Sequence, residues 1–279
     1  MKHVKRAVEQ AEKETQEKGL PHNSLAVLKT PVGSPKDVIS YTQIPRDMIL
    51  YTEPHMVKVL PDMLRDNRVI LGRENDAIAS AYKMLRTQVM QRMRENGWKA
   101  LGVTSCRPGE GKSLTAVNLA ISLANAIDHT VLLVDADLRR PRLHEYFGYT
   151  SERGLSDYLL DGVPLRETVF SPGIERLVVL PAGNAIINSS EMLSSSKMVQ
   201  LIEGLKTVYP AQLVVFDLPP LLSTDDALAF SPHIDAVLLV LEKGKTSKEE
   251  VKQAMKLLQG VNVLGTVLNK SDEKNKGYY

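Results

Sequence analysis

The sequence is poor in cysteine and nearly neutral in charge, and both scarcities exclude classes of protein. The single cysteine in 279 residues can form no intramolecular disulfide, and alone it cannot build a Cys-based zinc or iron–sulfur site. The six histidines show no ligand spacing, so we expect no zinc site. With 35 basic and 33 acidic residues, the formal charge of +2 is too small for a dedicated nucleic-acid binder, whose domains usually carry a concentrated basic surplus. We therefore expect no nucleic-acid partner.

A long apolar stretch is also missing from the sequence. A membrane-spanning helix needs about 18–20 consecutive apolar residues. The nearest candidate, residues 113–127, is interrupted by two asparagines and a serine. The charged start of the chain leads into no apolar segment, so we predict no signal peptide. These features favour a cytoplasmic protein, and a hydrophobic share of 43% is enough for a packed core.

The first quarter of the chain differs in composition from the rest. Residues 21–46 contain four prolines among scattered Ser, Thr and Gly, which is typical of a linker. We interpret residues 1–72 as a mobile N-terminal arm, with a loosely packed N-terminal subdomain as the alternative. Residues 73–271 are predicted to form the folded domain, and residues 272–279 are predicted to form a C-terminal tail.

Hydrophobic patterning in the domain predicts alternating helices and strands. Apolar residues at spacings of three and four between Ile78 and Met93 predict an amphipathic helix, which Gly97 ends. Further helices are predicted over about residues 112–126, 191–209 and 247–258. Continuous apolar runs, typical of strands covered on both faces, occur at residues 100–104, 130–134, 177–180, 213–216, 236–240 and 263–268. We therefore predict an α/β fold with a doubly wound, mostly parallel sheet.

One loop has the sequence of a phosphate-binding loop. The segment from Cys106 to Ser113 follows a predicted strand, opens a predicted helix and ends in Gly-Lys-Ser. Its glycines would let backbone N–H groups close around a phosphate, and the helix N-terminus would add positive potential. Lys112 would neutralise the terminal phosphates, and the Ser113 hydroxyl would bind magnesium. The residues predicted to bind the nucleotide are Arg107, Pro108, Gly109, Glu110, Gly111, Lys112, Ser113 and Leu114.

Two of the predicted strands end in aspartates. Asp135 and Asp137 follow the run at residues 130–134, and Asp217 follows the run at residues 213–216. Ligands of doubly wound sheets lie beyond the carboxyl ends of the strands, so we expect these carboxylates to converge on the nucleotide. Carboxylates, a hydroxyl and phosphate oxygens together suit magnesium and phosphoryl transfer. The alternative for any one of these aspartates is a helix cap or a turn residue.

These segments resemble the nucleotide-binding motifs of bacterial protein-tyrosine kinases (BY-kinases), autokinases of polysaccharide synthesis on a P-loop NTPase fold of the partitioning/Min type. The most specific match is to their second motif, Asp135-Ala136-Asp137-Leu138-Arg139-Arg140-Pro141. Residues 107–113 resemble the first motif and residues 216–220 the third, and the match covers about residues 74–271 in family order. The resemblance implies a protein-tyrosine autokinase that uses ATP and Mg²⁺.

The resemblance also implies roles for the matched residues. Asp135 would accept the proton of the incoming tyrosine hydroxyl, and Lys112 would hold the phosphates. The implied catalytic residues are Asp135, Lys112 and Asp137. The implied metal-binding residues are Ser113, Asp137 and Asp217. The implied phosphoacceptors are Tyr278 and Tyr279, a shorter tyrosine cluster than the family tail usually carries.

Partners are implied in the same way. The chain resembles the cytoplasmic form of the family, whose membrane activator, a polysaccharide co-polymerase or chain-length regulator, is a separate polypeptide. This implies a location peripheral to the inner membrane, tyrosine-containing protein substrates and a homo-oligomer. The family's assembly motif, Glu-x-x-Arg-x-x-Arg, corresponds here to Ser80, Lys83 and Arg86. Because lysine does not reproduce the forked contact of arginine, the size of the oligomer is left open.

Two other functions fit the same motifs. An ATPase switch of the partitioning or Min type would use ATP to dimerise and to bind DNA or membrane. The near-neutral charge and the lack of a basic amphipathic C-terminal helix in the sequence disfavour it. A nucleotide-dependent scaffold for a membrane chain-length regulator would act by binding alone. A reductase of the nitrogenase type is excluded because its cluster needs two cysteines per subunit.

Overall fold

The computed structural model describes residues 54–70, 77–126, 130–150, 152–208 and 212–271. These residues form one eight-stranded sheet with helices packed against it. The strands are β1 (His55–Met56), β2 (Ala100–Ser105), β3 (Thr130–Asp135), β4 (Phe170–Ser171), β5 (Leu177–Leu180), β6 (Gln212–Asp217), β7 (Ala236–Glu242) and β8 (Val263–Asn269). The described helices are α1 (Pro61–Asp66), α2 (Ala77–Asn96), α3 (Lys112–Ala124), α4 (Leu155–Asp161), α5 (Ser189–Leu193), α6 (Ser196–Val208), α7 (Asp226–Phe230) and α8 (Lys248–Leu257).

The order of the strands confirms the predicted doubly wound, mostly parallel sheet. It runs β1-β4-β5-β3-β6-β2-β7-β8, and among the described strands only the pair β4–β5 is antiparallel. The central strands β3, β6, β2 and β7 therefore deliver their carboxyl ends to one edge of the sheet. The loop that follows β2 emerges in the middle of that edge, between the ends of β6 and β7.

Side chains of the strands alternate between two apolar clusters, one on each face of the sheet. Leu132 and Val134 of β3 belong to one cluster, whereas Leu133 between them belongs to the other. Helix α3 packs on one face through residues such as Val117 and α6 on the opposite face through residues such as Leu201. Burial on both faces explains why these strands read as continuous apolar runs.

The helices agree with the predicted pattern except at two places. Helix α2 extends the predicted helix to Ala77–Asn96 and buries Val89 and Met93, but Ile78 is 59% exposed. The single helix predicted over residues 191–209 is two helices, α5 and α6, because the Ser195 hydroxyl accepts a hydrogen bond from the Met198 N–H (3.2 Å) and caps a new helix. None of the helices in the described ranges combines the length and apolar composition needed to cross a membrane.

Residues 54–70 pack on the domain, although the sequence analysis assigned them to the N-terminal arm. Strand β1 pairs with β4, and Leu64 and Val69 are buried in the same apolar cluster as Phe147. The predicted boundary at residue 72 therefore lies too late in the chain. A two-residue strand and a six-residue helix are too short to produce a periodic hydrophobic signal. Residues 1–53 and 272–279 lie outside the described residues, so the arm before residue 54 and the tail stay predictions.

Asp235 fixes the edge of the sheet opposite the carboxyl ends. One of its carboxylate oxygens accepts hydrogen bonds from the backbone N–H groups of Lys99 and Ala100 (both 2.8 Å), and the other pairs with Lys206 at 2.8 Å. Burial opposes the charged form, but the Lys206 ammonium and the two N–H groups outweigh it and lower the pKa of Asp235.

Asp235→Asn should lower the free energy of unfolding at pH 7 by about 1–3 kcal/mol, because an amide loses the ion pair with Lys206 and one oxygen acceptor. Since the folded-state pKa is depressed, the wild-type advantage is fully present above the unfolded pKa of about 3.9 and is lost as the pH falls through the folded pKa. Urea midpoints of the two proteins should therefore differ at pH 7 and converge below pH of about 4. A gap that stays constant down to the lowest pH at which both proteins fold would contradict this assignment.

Candidate active site

The loop between β2 and α3 has the backbone of a phosphate cradle. Gly109 and Gly111 adopt φ angles of +82° and +93°, in the left-handed region that favours glycine. A side chain at Gly111 would collide with the amide of Asn269. Helix α3 begins at Lys112 directly after the loop, so its unpaired N–H groups and its dipole favour an anion there. The predicted nucleotide-binding segment, residues 107–114, therefore lies at the carboxyl edge of the sheet.

Glu110 holds the loop in shape. Its side chain is buried, and the carboxylate accepts hydrogen bonds from the Arg107 N–H (3.0 Å) and from the Thr246 hydroxyl. The Arg107 guanidinium pairs with Glu250 of α8. An acidic side chain in a loop that receives phosphates is tolerable because it is turned toward these donors. Sequence reasoning placed Glu110 among the nucleotide contacts and gave no signal for Thr246.

The end of β8 is tied to the same loop. The Asn269 amide donates to the Glu110 carbonyl at 2.9 Å, and the Lys270 ammonium donates to the Gly109 carbonyl at 2.8 Å. Lys270 also pairs with Glu242 at 2.9 Å. The residues that lead into the C-terminal tail therefore contact the phosphate loop.

Lys112 lies between two of the predicted aspartates. Its ammonium is 2.9 Å from Asp137 Oδ2 and 3.3 Å from Asp217 Oδ1, and it donates to Ser113 Oγ at 3.2 Å. Burial disfavours the charged ammonium, but the carboxylates of Asp217 and Asp137 outweigh it and raise the pKa of Lys112. The lysine is therefore positively charged at neutral pH, as the neutralisation of a phosphate requires.

Asp135 is fully buried beside this pair. Its Oδ2 accepts from the backbone N–H groups of Arg142 (3.2 Å) and Leu143 (3.0 Å), and its Oδ1 accepts from the Asp137 N–H (3.1 Å). The register of β3 and β6 places Asp135 directly beside Asp217. Burial and the neighbouring Asp217 charge raise the pKa of Asp135 to about 7. A carboxyl with a pKa near neutrality is suited to take up and release a proton.

The donors at this edge fit magnesium in the presence of a phosphate. Asp137 and Asp217 converge on one point, since both lie within 3.3 Å of the same nitrogen, and the Ser113 hydroxyl lies beside them. No group of three or more His, Cys, Asp or Glu side chains in the described residues is arranged to hold a metal alone. Mg²⁺ is usually bound through one or two carboxylates together with substrate phosphates. The residues present therefore suit Mg²⁺ that arrives with a nucleotide.

Two further groups at the site make contacts that the sequence analysis did not predict. Burial and the charge of Asp217 raise the pKa of Tyr146, which lies near the aspartates. Arg139, which lies within the second motif, donates to Asp226 at 2.8 and 3.2 Å. Asp226 is buried and also accepts from the Ser189 hydroxyl at 2.9 Å. Arg139 therefore ties the exit of β3 to α5 and α7, a contact that spacing along the chain does not reveal.

All of the predicted loop and aspartate residues lie together at the carboxyl edge of the sheet. Tyr278 and Tyr279, the predicted phosphoacceptors, lie outside the described residues. The sequence therefore predicted which loop and aspartate residues lie together, whereas the contacts that hold them in place were found in the structure.

Comparison with known proteins identifies the family to which this site belongs. A family model described as ParA, NUBPL iron-transfer P-loop NTPase, matches residues 98–276. The putative tyrosine-protein kinase CapB of Staphylococcus aureus is 32% identical over 210 residues, which cover 74% of this chain and 91% of CapB. The tyrosine-protein kinase YwqD of Bacillus subtilis (strain 168) is 33% identical over 221 residues, which cover 77% of this chain and 92% of YwqD.

Solved structures agree with these relatives. The kinase domain of the Escherichia coli tyrosine kinase Etk matches with a TM-score of 0.69 at 32% identity, covering 81% of this chain and 86% of that domain. The septum site-determining protein MinD from Pyrococcus horikoshii, solved with Mg-ADP, matches with a TM-score of 0.53 at 23% identity over 63% of this chain and 72% of MinD. MinD therefore shares the fold, whereas the tyrosine kinases share sequence as well. The chain belongs to the bacterial tyrosine-protein kinase family, on the ParA-type P-loop NTPase fold.

Proposed function

We propose that the protein is a tyrosine autokinase that transfers the γ-phosphoryl group of ATP to Tyr278 and Tyr279. The observation that carries the proposal is the convergence of Lys112, Asp137 and Asp217 beside the buried Asp135, at the mouth of the phosphate loop. The tyrosine kinases among its relatives support the choice of phosphoryl acceptor.

The roles of the residues follow from their positions. Backbone N–H groups of residues 107–114 and the N-terminus of α3 would bind the phosphates, and Lys112 would exchange its carboxylate partners for phosphate oxygens. Mg²⁺, held by Ser113, Asp137 and Asp217, would neutralise charge on the phosphates. Asp135 keeps lone pairs beyond the three N–H groups it accepts from, so it can receive a proton.

The transfer step conserves atoms and charge in a simple way. The phenolic oxygen of the tyrosine would bond to the γ-phosphorus as the bond from that phosphorus to the β,γ-bridging oxygen breaks. ADP would leave with the electron pair of that bond, and the phenolic proton would pass to Asp135. Positioning and neutralisation of charge would supply most of the rate.

Mass spectrometry tests this function directly. Purified protein incubated with ATP and Mg²⁺ should gain phosphate on Tyr278 and Tyr279, and protein incubated without ATP should not. Stable ATP binding with no phosphotyrosine at any tyrosine would favour a nucleotide-dependent scaffold or an ATPase switch and would reject the kinase function.

The C-terminal tail begins close enough to the site for its tyrosines to reach the active site of the same molecule or that of a neighbour. Asn269 and Lys270 contact the phosphate loop. Nine residue steps separate Lys270 from Tyr279, and an extended chain spans at most about 3.3–3.6 Å per residue, which gives a reach of roughly 30 Å. Because reach does not decide between the two, we rely on the family resemblance and propose transfer in trans within a homo-oligomer.

Transfer in trans predicts that one molecule labels another. Lys112→Met protein, which retains its tail, should be phosphorylated when mixed with the Tyr278→Phe/Tyr279→Phe protein, which retains its active site. Phosphopeptide mass spectrometry of the Lys112→Met tail is the measurement, and each variant incubated alone is the control. If the mixture stays unlabelled while the wild-type protein labels itself at a rate independent of its concentration, transfer occurs in cis.

The cellular setting is proposed from the family. The kinase would act in the cytoplasm, peripheral to the inner membrane, in the control of exopolysaccharide or capsule synthesis. A polysaccharide co-polymerase or chain-length regulator would be its separate membrane activator, and other tyrosine-containing proteins would be further substrates. Of the assembly positions, Arg86 is engaged within the chain, since it donates to the Ser122 carbonyl at 3.0 Å, whereas Lys83 is exposed.

A further inference from the structure

A cavity of about 430 Å³ lies beside the phosphate loop. Its lining includes Arg68, Val69, Gly111, Leu114, Asn118 and Lys270. Leu114 and Asn118 are four residues apart and share one face of α3, whereas Lys112 and Ser113 contact each other and the aspartates from a different face. The cavity therefore lies on the side of the loop away from the carboxylates, and its volume is in the range of about 300–1,000 Å³ that holds small ligands.

One wall of this cavity comes from a segment that lies before the match to the ParA-type family model. Five residues between Pro61 and Ile70 belong to its lining, whereas the family model begins at residue 98. The Asn118 side chain fixes the segment, since its amide donates to the Arg68 carbonyl at 3.2 Å and its oxygen accepts from the Ile70 N–H at 2.9 Å. Leu64, which does not line the cavity, is buried and anchors the segment in the apolar core.

Arg68 is the unusual residue of this wall. Its φ angle of +58° lies in the left-handed region that disfavours residues with a side chain, and a glycine would adopt it more easily. Its guanidinium is exposed and makes no hydrogen bond or ion pair with another described residue. This left-handed turn ends α1, since the Arg68 N–H donates to the Arg65 carbonyl (2.9 Å) and the Val69 N–H donates to the Leu64 carbonyl (2.7 Å). It is the unpaired guanidinium in the lining of the cavity that points to a use for the side chain.

We propose that Arg68 binds the nucleoside half of ATP, and that residues 61–70 complete the nucleotide site of this kinase. The inference rests on the proposed function, which places the γ-phosphate at Lys112 and the aspartates. The nucleoside then extends to the opposite side of the loop, where the cavity lies. A guanidinium can stack on a base and donate hydrogen bonds to a ribose or to the base edge. Val69 and Leu114 supply the apolar surface that a base requires.

The Arg68→Gly variant separates binding from folding. Glycine accepts the left-handed backbone, so the thermal midpoint should stay equal or rise, while the affinity for ADP should fall roughly tenfold, as expected for the loss of one charged contact. Calorimetric titration of ADP with Mg²⁺ measures the affinity. Arg68→Lys, which keeps the charge but not the planar fork, should bind ADP with an affinity between those of the wild type and Arg68→Gly.

Arg176→Gly is the matched control. Arg176 also has a left-handed backbone (φ +62°), but it precedes β5 at the opposite edge of the sheet and donates to the Ala124 carbonyl at 2.9 Å. This variant should bind ADP like the wild type. Pyrophosphate, which lacks the nucleoside, should bind to the wild type and to Arg68→Gly with the same affinity.

The outcomes distinguish this inference from the proposed function. Unchanged ADP affinity in Arg68→Gly, or an equal loss of pyrophosphate affinity, would overturn the role of Arg68. The kinase assignment would stay intact as long as Lys112→Met strongly weakens ADP binding and abolishes formation of phosphotyrosine. If the wild type itself bound no adenine nucleotide, the proposed function would fail together with this inference.

Discussion

Lys112→Met should abolish formation of phosphotyrosine and weaken ADP binding by at least about 100-fold, while the protein stays folded. The ammonium of Lys112 lies 2.9 Å from Asp137 Oδ2 and 3.3 Å from Asp217 Oδ1, where it would meet the phosphates. Charge-assisted hydrogen bonds contribute roughly 1.5–3 kcal/mol each, so losing two of them to phosphate oxygens accounts for a change of that size. Phosphopeptide mass spectrometry and calorimetric titration of ADP measure the two effects.

A lysine elsewhere in the domain provides the matched control for this variant. The Lys206 ammonium also pairs with a carboxylate, that of Asp235 at 2.8 Å, but this pair lies at the opposite edge of the sheet. Lys206→Met should therefore lower stability and leave ADP affinity and phosphorylation unchanged. Undiminished phosphotyrosine in Lys112→Met would show that the transfer occurs elsewhere than at this loop.

The parts of the site that the sequence predicted share one physical origin. Asp135, Asp137 and Asp217 follow continuous apolar strands, and the Gly-Lys-Ser segment follows another. In a parallel sheet the carboxyl ends of neighbouring strands meet at one edge, so the order of elements alone brings these residues together. Their convergence was predictable because it depends on topology rather than on the contacts of individual side chains.

The parts that the sequence did not predict depend on long-range contacts. Asn118 holds Ile70 across 48 positions of the chain, and Asn269 holds the carbonyl of Glu110 across 159. Neither contact leaves a periodic or compositional trace, since one asparagine at a given position is compatible with many folds. The assignment of residues 54–70 to a mobile arm was wrong for the same reason, because burial of Leu64 and Val69 is visible only once the partner surface exists.

Asp135 and Asp137 differ in their surroundings although they are two residues apart. Asp135 is fully buried and accepts only backbone N–H groups, whereas Asp137 contacts the Lys112 ammonium and is 7% exposed. A carboxylate that faces a cation suits a metal ligand, and a carboxyl with a raised pKa suits a proton acceptor. We therefore propose that the two aspartates serve different steps, which substitution can separate.

Asp135→Asn should slow phosphoryl transfer by about 10²–10⁴-fold, the usual contribution of a general base, while ADP affinity stays near that of the wild type. An amide cannot accept a proton, and its nitrogen cannot accept the hydrogen bonds that Asp135 receives from the N–H groups of Asp137, Arg142 and Leu143. One of these groups therefore loses its acceptor, and the variant should also lose about 1–3 kcal/mol of stability. Single-turnover phosphorylation, measured at a temperature at which the variant is still folded, gives the transfer rate without a contribution from the lower stability.

Two variants show whether the slower transfer belongs to Asp135 alone. Asp235→Asn makes the same chemical change at a structural carboxylate, so it should lose stability but transfer phosphate at the wild-type rate. Asp137→Asn removes a predicted metal ligand, so the magnesium concentration that gives half-maximal rate should rise. Asp135→Asn should leave that concentration unchanged, since its carboxylate faces backbone N–H groups rather than the Lys112 ammonium. If Asp135→Asn and Asp137→Asn shifted the magnesium requirement equally and neither lowered the rate at saturating magnesium, Asp135 would be a metal ligand and not the base.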